Sequence, residues 1–180
     1  MCTHHACQSR RRFLMAAAGA GLLAACGSGS EGGTGNLVPL EIDLNSSCAL
    51  DGMLLADYPG PKVQMHYAGR AEPDWFCDTI EMFSIYLNPE QARVVRAIFV
   101  QDMGKADWDS PKGHWIDAKT AFYVFGSRRL GSMGPTAASF SNEAEAKAFA
   151  DEHGGRVLRF NDVTPDMVVL DGGALHDQRM

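Results

Sequence analysis

The chain has 180 residues, 46% of them hydrophobic and 21% charged, with a formal net charge of −6. That is room for one ordinary globular domain or two very small ones. Counted from Cys26 onward, 13 Lys+Arg face 22 Asp+Glu, a balance of −9 that excludes the basic footprint of a nucleic-acid binder.

The first 25 residues read as an address rather than as fold. Ser9-Arg10-Arg11-Arg12-Phe13-Leu14 matches a twin-arginine export signal, and residues 13–25 form a short Ala-rich apolar run. This run falls short of the roughly 20 residues a membrane-spanning helix needs. It ends in Leu23-Ala24-Ala25-Cys26, which looks like a bacterial lipobox with Cys26 as the lipidated N-terminus of the mature protein. Residues 26–36, rich in Gly and Ser, then form a flexible linker. The expected location is therefore the periplasmic or extracytoplasmic face of a bacterial membrane, with the protein anchored through Cys26.

Residues 37–180 carry the folded domain. Val38, Leu40, Ile42 and Leu44 alternate with polar residues, the period of a half-buried strand. The loop Ser46-Ser47-Cys48-Ala49-Leu50-Asp51-Gly52-Met53 follows, with a thiol, a carboxylate and a thioether in six residues. Thiolates and thioethers are soft donors that favour Cu(I), so on spacing alone this loop reads either as a metal-binding segment or as a buried thiol, a buried Met and a surface turn. Tyr58-Pro59-Gly60-Pro61 forces a turn, and a strand follows with Met65 in the core and His66 solvated or behind a ligand.

Cys77 falls at a strand-to-helix junction, where a helix N-terminus favours the thiolate. Asp78-Thr79-Ile80-Glu81 matches a capping box, with Ile80, Phe83 and Leu87 on the buried helix face. Outside the cytoplasm, Cys48 and Cys77 are also the one internal pair available for a disulfide, which would remove both as ligands. A strand returns at residues 97–101. The second half repeats this order, with strands at 122–126 and 137–140, a helix from Asn142 to His153 stopped by Gly154-Gly155, and a strand at 156–160. The expected class is α+β, two small packed β-β-α-β units, roughly 37–105 and 106–165, forming one compact body. Between and within the halves lie further donors, Asp102, Met103, His114 and Met133, the two methionines beside glycines.

The motifs Asp51-Gly52-Met53, Asp57-Tyr58-Pro59-Gly60-Pro61-Lys62, Phe76-Cys77-Asp78, Val100-Gln101-Asp102-Met103-Gly104, Gly113-His114-Trp115-Ile116-Asp117-Ala118, Gly131-Ser132-Met133-Gly134 and Gly154-Gly155-Arg156-Val157-Leu158 together resemble the NosL family. That family comprises copper-binding lipoproteins that assist nitrous-oxide reductase. The resemblance implies a non-enzymatic protein that binds Cu(I) and delivers it for assembly of that reductase's copper-sulfur centre. Apo nitrous-oxide reductase and a membrane ABC transporter are the implied partners. It also implicates Met53, Cys77, Met103, His114 and Met133 in metal binding. Family members often carry a second cysteine before Gly-Met; here Asp51 stands in that place, a harder donor that would weaken Cu(I) binding or admit a second metal. Cys48 keeps the first cysteine position and is expected behind the ligands or in a disulfide with Cys77, and Asp102 is expected behind the ligands. Two other classes stay open: an extracytoplasmic thiol enzyme using Cys77, and a copper storage or sensing lipoprotein with no transfer partner.

Overall fold

The computed structural model describes residues 37–170. The export leader, Cys26, the linker and Met180 lie outside the described residues. No described helix is long and apolar enough to cross a membrane.

Two β-β-α-β units follow one another, as the sequence pattern led us to expect. The first consists of β1 (Val63–Tyr67), β2 (Asp74–Phe76), α1 (Thr79–Tyr86) and β3 (Val95–Gln101), and β4 (Trp115–Asp117) adds a fourth strand. All pairs are antiparallel, in the order β2-β1-β3-β4. The second consists of β5 (Phe122–Phe125), the small hairpin β6 (Leu130–Gly131) and β7 (Gly134–Pro135), β8 (Ala138–Phe140), α2 (Glu143–His153) and β9 (Arg156–Arg159). Its sheet runs β8-β5-β9, again antiparallel. In both units the first strand is central, the second flanks it, and the strand after the helix returns on the far side. The strand β4 was read only as connector in the sequence.

Both helices begin and end for local reasons. Asp78 caps α1 by accepting from Ile80 N at 2.8 Å, and Asn142 caps α2 by accepting from Ala144 N at 2.7 Å. Gly154, at φ +79°, closes α2 with its N–H on Ala150 O. Phe83 on α1 then joins the two halves. Its ring lies 5.0 Å from Tyr123 and 5.1 Å from Phe160, both buried, in one core that also takes in Met65, Phe76 and Ile98.

Two expectations need correction. Residues 37–43 pair with no strand; Val38 and Leu44 are 71% and 80% exposed. The Gln64 side chain instead serves both backbone groups of Leu40, accepting from its N–H and donating to its carbonyl, each at 2.9 Å. Alternation alone therefore did not make a strand, because a side-chain amide took the place of a ladder. His66 is buried rather than solvated, with its Nε2 2.9 Å from Gln64 Oε1. Every residue of β1 is buried because both faces of this central strand are covered.

Asp102 fastens the end of β3 to the start of α2. Its carboxylate accepts from Ser141 N and Oγ at 3.2 and 2.6 Å, and from Lys105 Nζ at 2.9 Å. Burial opposes its charge, but these bonds prevail and hold the carboxyl below its ordinary range.

The hairpin β6–β7 presses against the first unit through a glycine contact. A Cβ on Gly60, which sits at φ +81°, would lie 2.9 Å from Gly131 Cα. Gly60→Ala should therefore destabilise the protein by about 2–3 kcal/mol, combining a left-handed backbone with a backbone clash. Gly52→Ala, at a similar φ but with open space around it, should cost only about 1 kcal/mol. Urea unfolding of the two variants checks this, and equal losses would count against the close approach.

Candidate metal centre

The site forms where the Cys48 loop meets the start of α1. Cys77 immediately precedes the Asp78 cap, so Glu81 lies four residues on, one helical turn away on the same face. Its Oε2 is 3.2 Å from Cys77 Sγ. Cys48 arrives from the other side, where its segment bridges to Trp75 of β2 and Ala49 N donates to Trp75 O at 2.7 Å. This sets Cys48 Sγ 3.3 Å from the same Glu81 oxygen. Gly52, at φ +79°, lets the loop turn back so that Gly52 N reaches Cys48 O and Cys48 N reaches Met53 O. Asp51 Oδ1 accepts from Met53 N, leaving Oδ2 4.0 Å from Cys77 Sγ. The four donor atoms of Cys48, Asp51, Cys77 and Glu81 all lie within 4.8 Å of one another, with Asp51 alone exposed.

Both cysteines are free and buried, so the disulfide considered from the sequence is absent. Instead one carboxylate oxygen receives both thiols. Burial pushes the Glu81 carboxyl up, and the two thiol hydrogen bonds oppose that rise. The thiols themselves split. The interaction between the two neighbouring thiols lowers the Cys48 pKa, while the same interaction and burial push the Cys77 thiol well above the ordinary thiol range. Of the two, Cys48 is the thiol whose thiolate is favoured. A cation seated between the sulfurs and Glu81 would replace those protons, so binding there strengthens with rising pH.

Behind the donors, Cys77 is held by its carbonyl. Ser132 Oγ donates to it at 2.7 Å and Lys62 Nζ at 3.1 Å, the ammonium also reaching Pro59 O at 2.7 Å. Burial pulls the Lys62 ammonium down to about 8, against the raising effect of the nearby acidic groups. Asp78 is likewise buried, which pushes its carboxyl up to about 7 although Ile80 N and Thr136 Oγ1 bond it; its Oδ2 has no hydrogen-bond partner among the described residues.

The remaining candidates are distributed as follows. Met133, at the tip of β6–β7 beside Ser132, lines a cleft of about 280 Å³ together with Asp51, Asp78 and Glu81. Met167 lines the same cleft, from a 3-10 turn at Pro165–Met167 that the sequence did not place. Met53 is next to the donors in sequence, but its half-buried side chain packs against the main core. Met103 packs against the separate Trp108 and Phe140 cluster. His114 is exposed at φ +55° ahead of β4, and its carbonyl accepts from Asp102 N at 2.8 Å. Asp102 serves the β3–α2 junction. Glu81 was missed as a donor because the capping-box pattern assigned it to the helix start; its i+4 spacing from Cys77 was the usable signal.

A small α+β domain of two β-β-α-β units brings two thiols and two carboxylates together at one helix start, a cluster that could hold a metal ion. Comparison with known proteins makes this specific. The NosL family model matches residues 39–168, and the chain belongs to the NosL family. It is 38% identical over 147 residues to the copper-binding lipoprotein NosL of Stutzerimonas stutzeri, covering 79% of this chain and 76% of that one. It is 39% identical over 166 residues to the copper-binding lipoprotein NosL of Achromobacter cycloclastes, covering 90% and 84%. The crystal structure of the copper chaperone NosL from Shewanella denitrificans superposes with a TM-score of 0.68 at 36% identity, covering 72% of this chain and 97% of that one.

Asp78 provides a test of the electrostatics. Its folded pKa of about 7 lies above an unfolded value of about 3.9, so its contribution to stability is full below about pH 4 and lost as pH rises through 7. Asp78→Asn should therefore gain about 2–3 kcal/mol on the wild type between pH 5 and 8, read by urea unfolding of the reduced, metal-free protein. A pH-independent difference would contradict the raised pKa.

Proposed function

We propose that this protein is a membrane-tethered, extracytoplasmic Cu(I) metallochaperone, anchored through Cys26, that delivers copper for the copper-sulfur centre of nitrous-oxide reductase. The observation that carries the reading is the convergence of two reduced, buried thiols on one Glu81 oxygen, beside a cleft lined by the thioether of Met133. Soft sulfur donors select Cu(I) over harder ions. The relatives' names, copper-binding lipoprotein and copper chaperone, support the same cargo and the same tether.

The residues divide the work between holding and releasing. Cys48 and Cys77 supply thiolates, with protons leaving as the ion enters. Glu81 replaces its two S–H bonds with a contact to the ion and keeps the sulfurs at their spacing. Asp51 is exposed at the edge of the group, in the place a cysteine often takes in the family, and this makes the site less purely sulfur and easier to empty. Met133 offers a neutral donor in the cleft that Glu81 and Asp51 also line. A partner presenting better donors completes the exchange; apo nitrous-oxide reductase and the membrane ABC transporter of the same maturation system are the proposed partners. The thiol-enzyme alternative is disfavoured by the absence of a histidine from the clustered donors among the described residues.

Anaerobic Cu(I) titration of the mature chain against a chromophoric chelator tests the reading. We expect one equivalent bound tightly, with Cys48→Ser and Cys77→Ser each weakening it at least ~100-fold and Glu81→Gln and Met133→Leu about tenfold or less. Met103→Leu should leave affinity within about twofold, since its side chain sits in another cluster. Failure of the reduced wild type to compete for Cu(I) would defeat the proposal.

A further inference from the structure

Lys62 presents a puzzle that metal binding by itself does not explain. It directly precedes β1 and is wholly buried. Its ammonium donates to the carbonyls of Pro59 and Cys77, and among the described residues no carboxylate lies within ion-pair distance of it. Burying an ammonium against neutral carbonyls costs several kcal/mol, and most buried lysines avoid that cost with a paired anion. Here the compensation is spread out. The titratable groups whose charged forms would act on it are, in order of effect, Asp78, Cys77, Glu81 and Cys48. Three of those four belong to the metal-donor group. Lys62 is thus a fixed positive charge directly behind the site, touching the donors only through the Cys77 carbonyl.

A fixed charge in that position acts differently on monovalent and divalent cations. With the same donors in the same protonation state, a site holding Cu(I) is one unit more negative than a site holding Zn(II). Both ions have a filled d shell, and their difference in softness is common to any variant that keeps the donors, so it cancels when variants are compared. A cation behind the site stabilises the more negative occupied state. We propose that Lys62 is a specificity-determining residue that biases this site toward a monovalent and against a divalent metal ion, an inference that rests on the copper-binding reading above. It supplies by electrostatics some of the selectivity that a carboxylate-containing donor set gives up.

The test uses the mature, reduced chain under anaerobic conditions, with Cu(I) and Zn(II) affinities measured separately against chromophoric chelators. Lys62→Gln keeps an N–H donor without the charge, Lys62→Met removes both, and Lys62→Arg keeps the charge. The ratio of Cu(I) to Zn(II) affinity should fall at least ~10-fold in Lys62→Gln and Lys62→Met and stay within about threefold of wild type in Lys62→Arg. If Cu(I) still binds but the ratio is unchanged in the neutral variants, the inference is overturned. It is equally overturned if Lys62→Arg shifts the ratio as far as they do, or if both neutral variants lose their fold at neutral pH, since the ammonium's role is then structural. A wild type that binds no Cu(I) fails at an earlier step and identifies the copper reading itself as the error.

Discussion

Two sulfur atoms and one carboxylate oxygen share a buried space at 3.2–3.3 Å, and much of the first unit serves to hold them there. Three polar groups so close together would repel or demand protons if nothing neutralised them. The protein answers with two shared thiol protons, the start of a helix, and a buried lysine. Cys77 is fixed by its carbonyl to Lys62 and Ser132, Cys48 by its bridge to Trp75, and Glu81 by its turn of α1. Removing the protons leaves a donor set complementary to a soft cation; the geometry is prepared before any ion arrives.

The duplicated topology shows why only one half carries this chemistry. In the second unit Ser141 precedes the Asn142 cap of α2 and Glu145 follows one turn later, the positions held by Cys77, Asp78 and Glu81 in the first. There the hydroxyl of Ser141 bonds Asp102 and takes a hydrogen bond from Lys105, whose ammonium also pairs with Asp102. A built-in cation thus lies, in the second unit, beside the helix start where the first unit gathers its thiols. One scaffold yields a structural knot with hard oxygen groups and a cluster of sulfur donors suited to a soft ion.

Much of this could be read from the sequence, and the failures have physical causes. The two β-β-α-β units were legible because helix caps at Asp78 and Asn142 and the Gly154 stop mark boundaries that tertiary packing did not override. The strand expected from the alternation of Val38, Leu40, Ile42 and Leu44 failed because periodicity records which side chains are apolar, not whether a neighbouring backbone is free to pair; Gln64 had taken the hydrogen bonds of Leu40. The soft-donor loop from Cys48 to Met53 was visible as chemistry, yet the identity of its inward-facing members was not. Met53 turned into the core while Cys48 turned to Glu81. Glu81 and Ser132 stand far from the Cys48 loop in the chain, and no local pattern ties them or Lys62 to it.

The measurement that tests the account most directly is X-ray absorption at the copper edge of the Cu(I)-loaded, reduced protein, compared with Cys48→Ser. The account predicts a wild-type first shell containing at least two sulfur atoms and a variant shell with one fewer. A first shell of nitrogen and oxygen alone, or one that Cys48→Ser leaves unchanged, would contradict it and place the copper site away from the convergence of Cys48, Cys77 and Glu81.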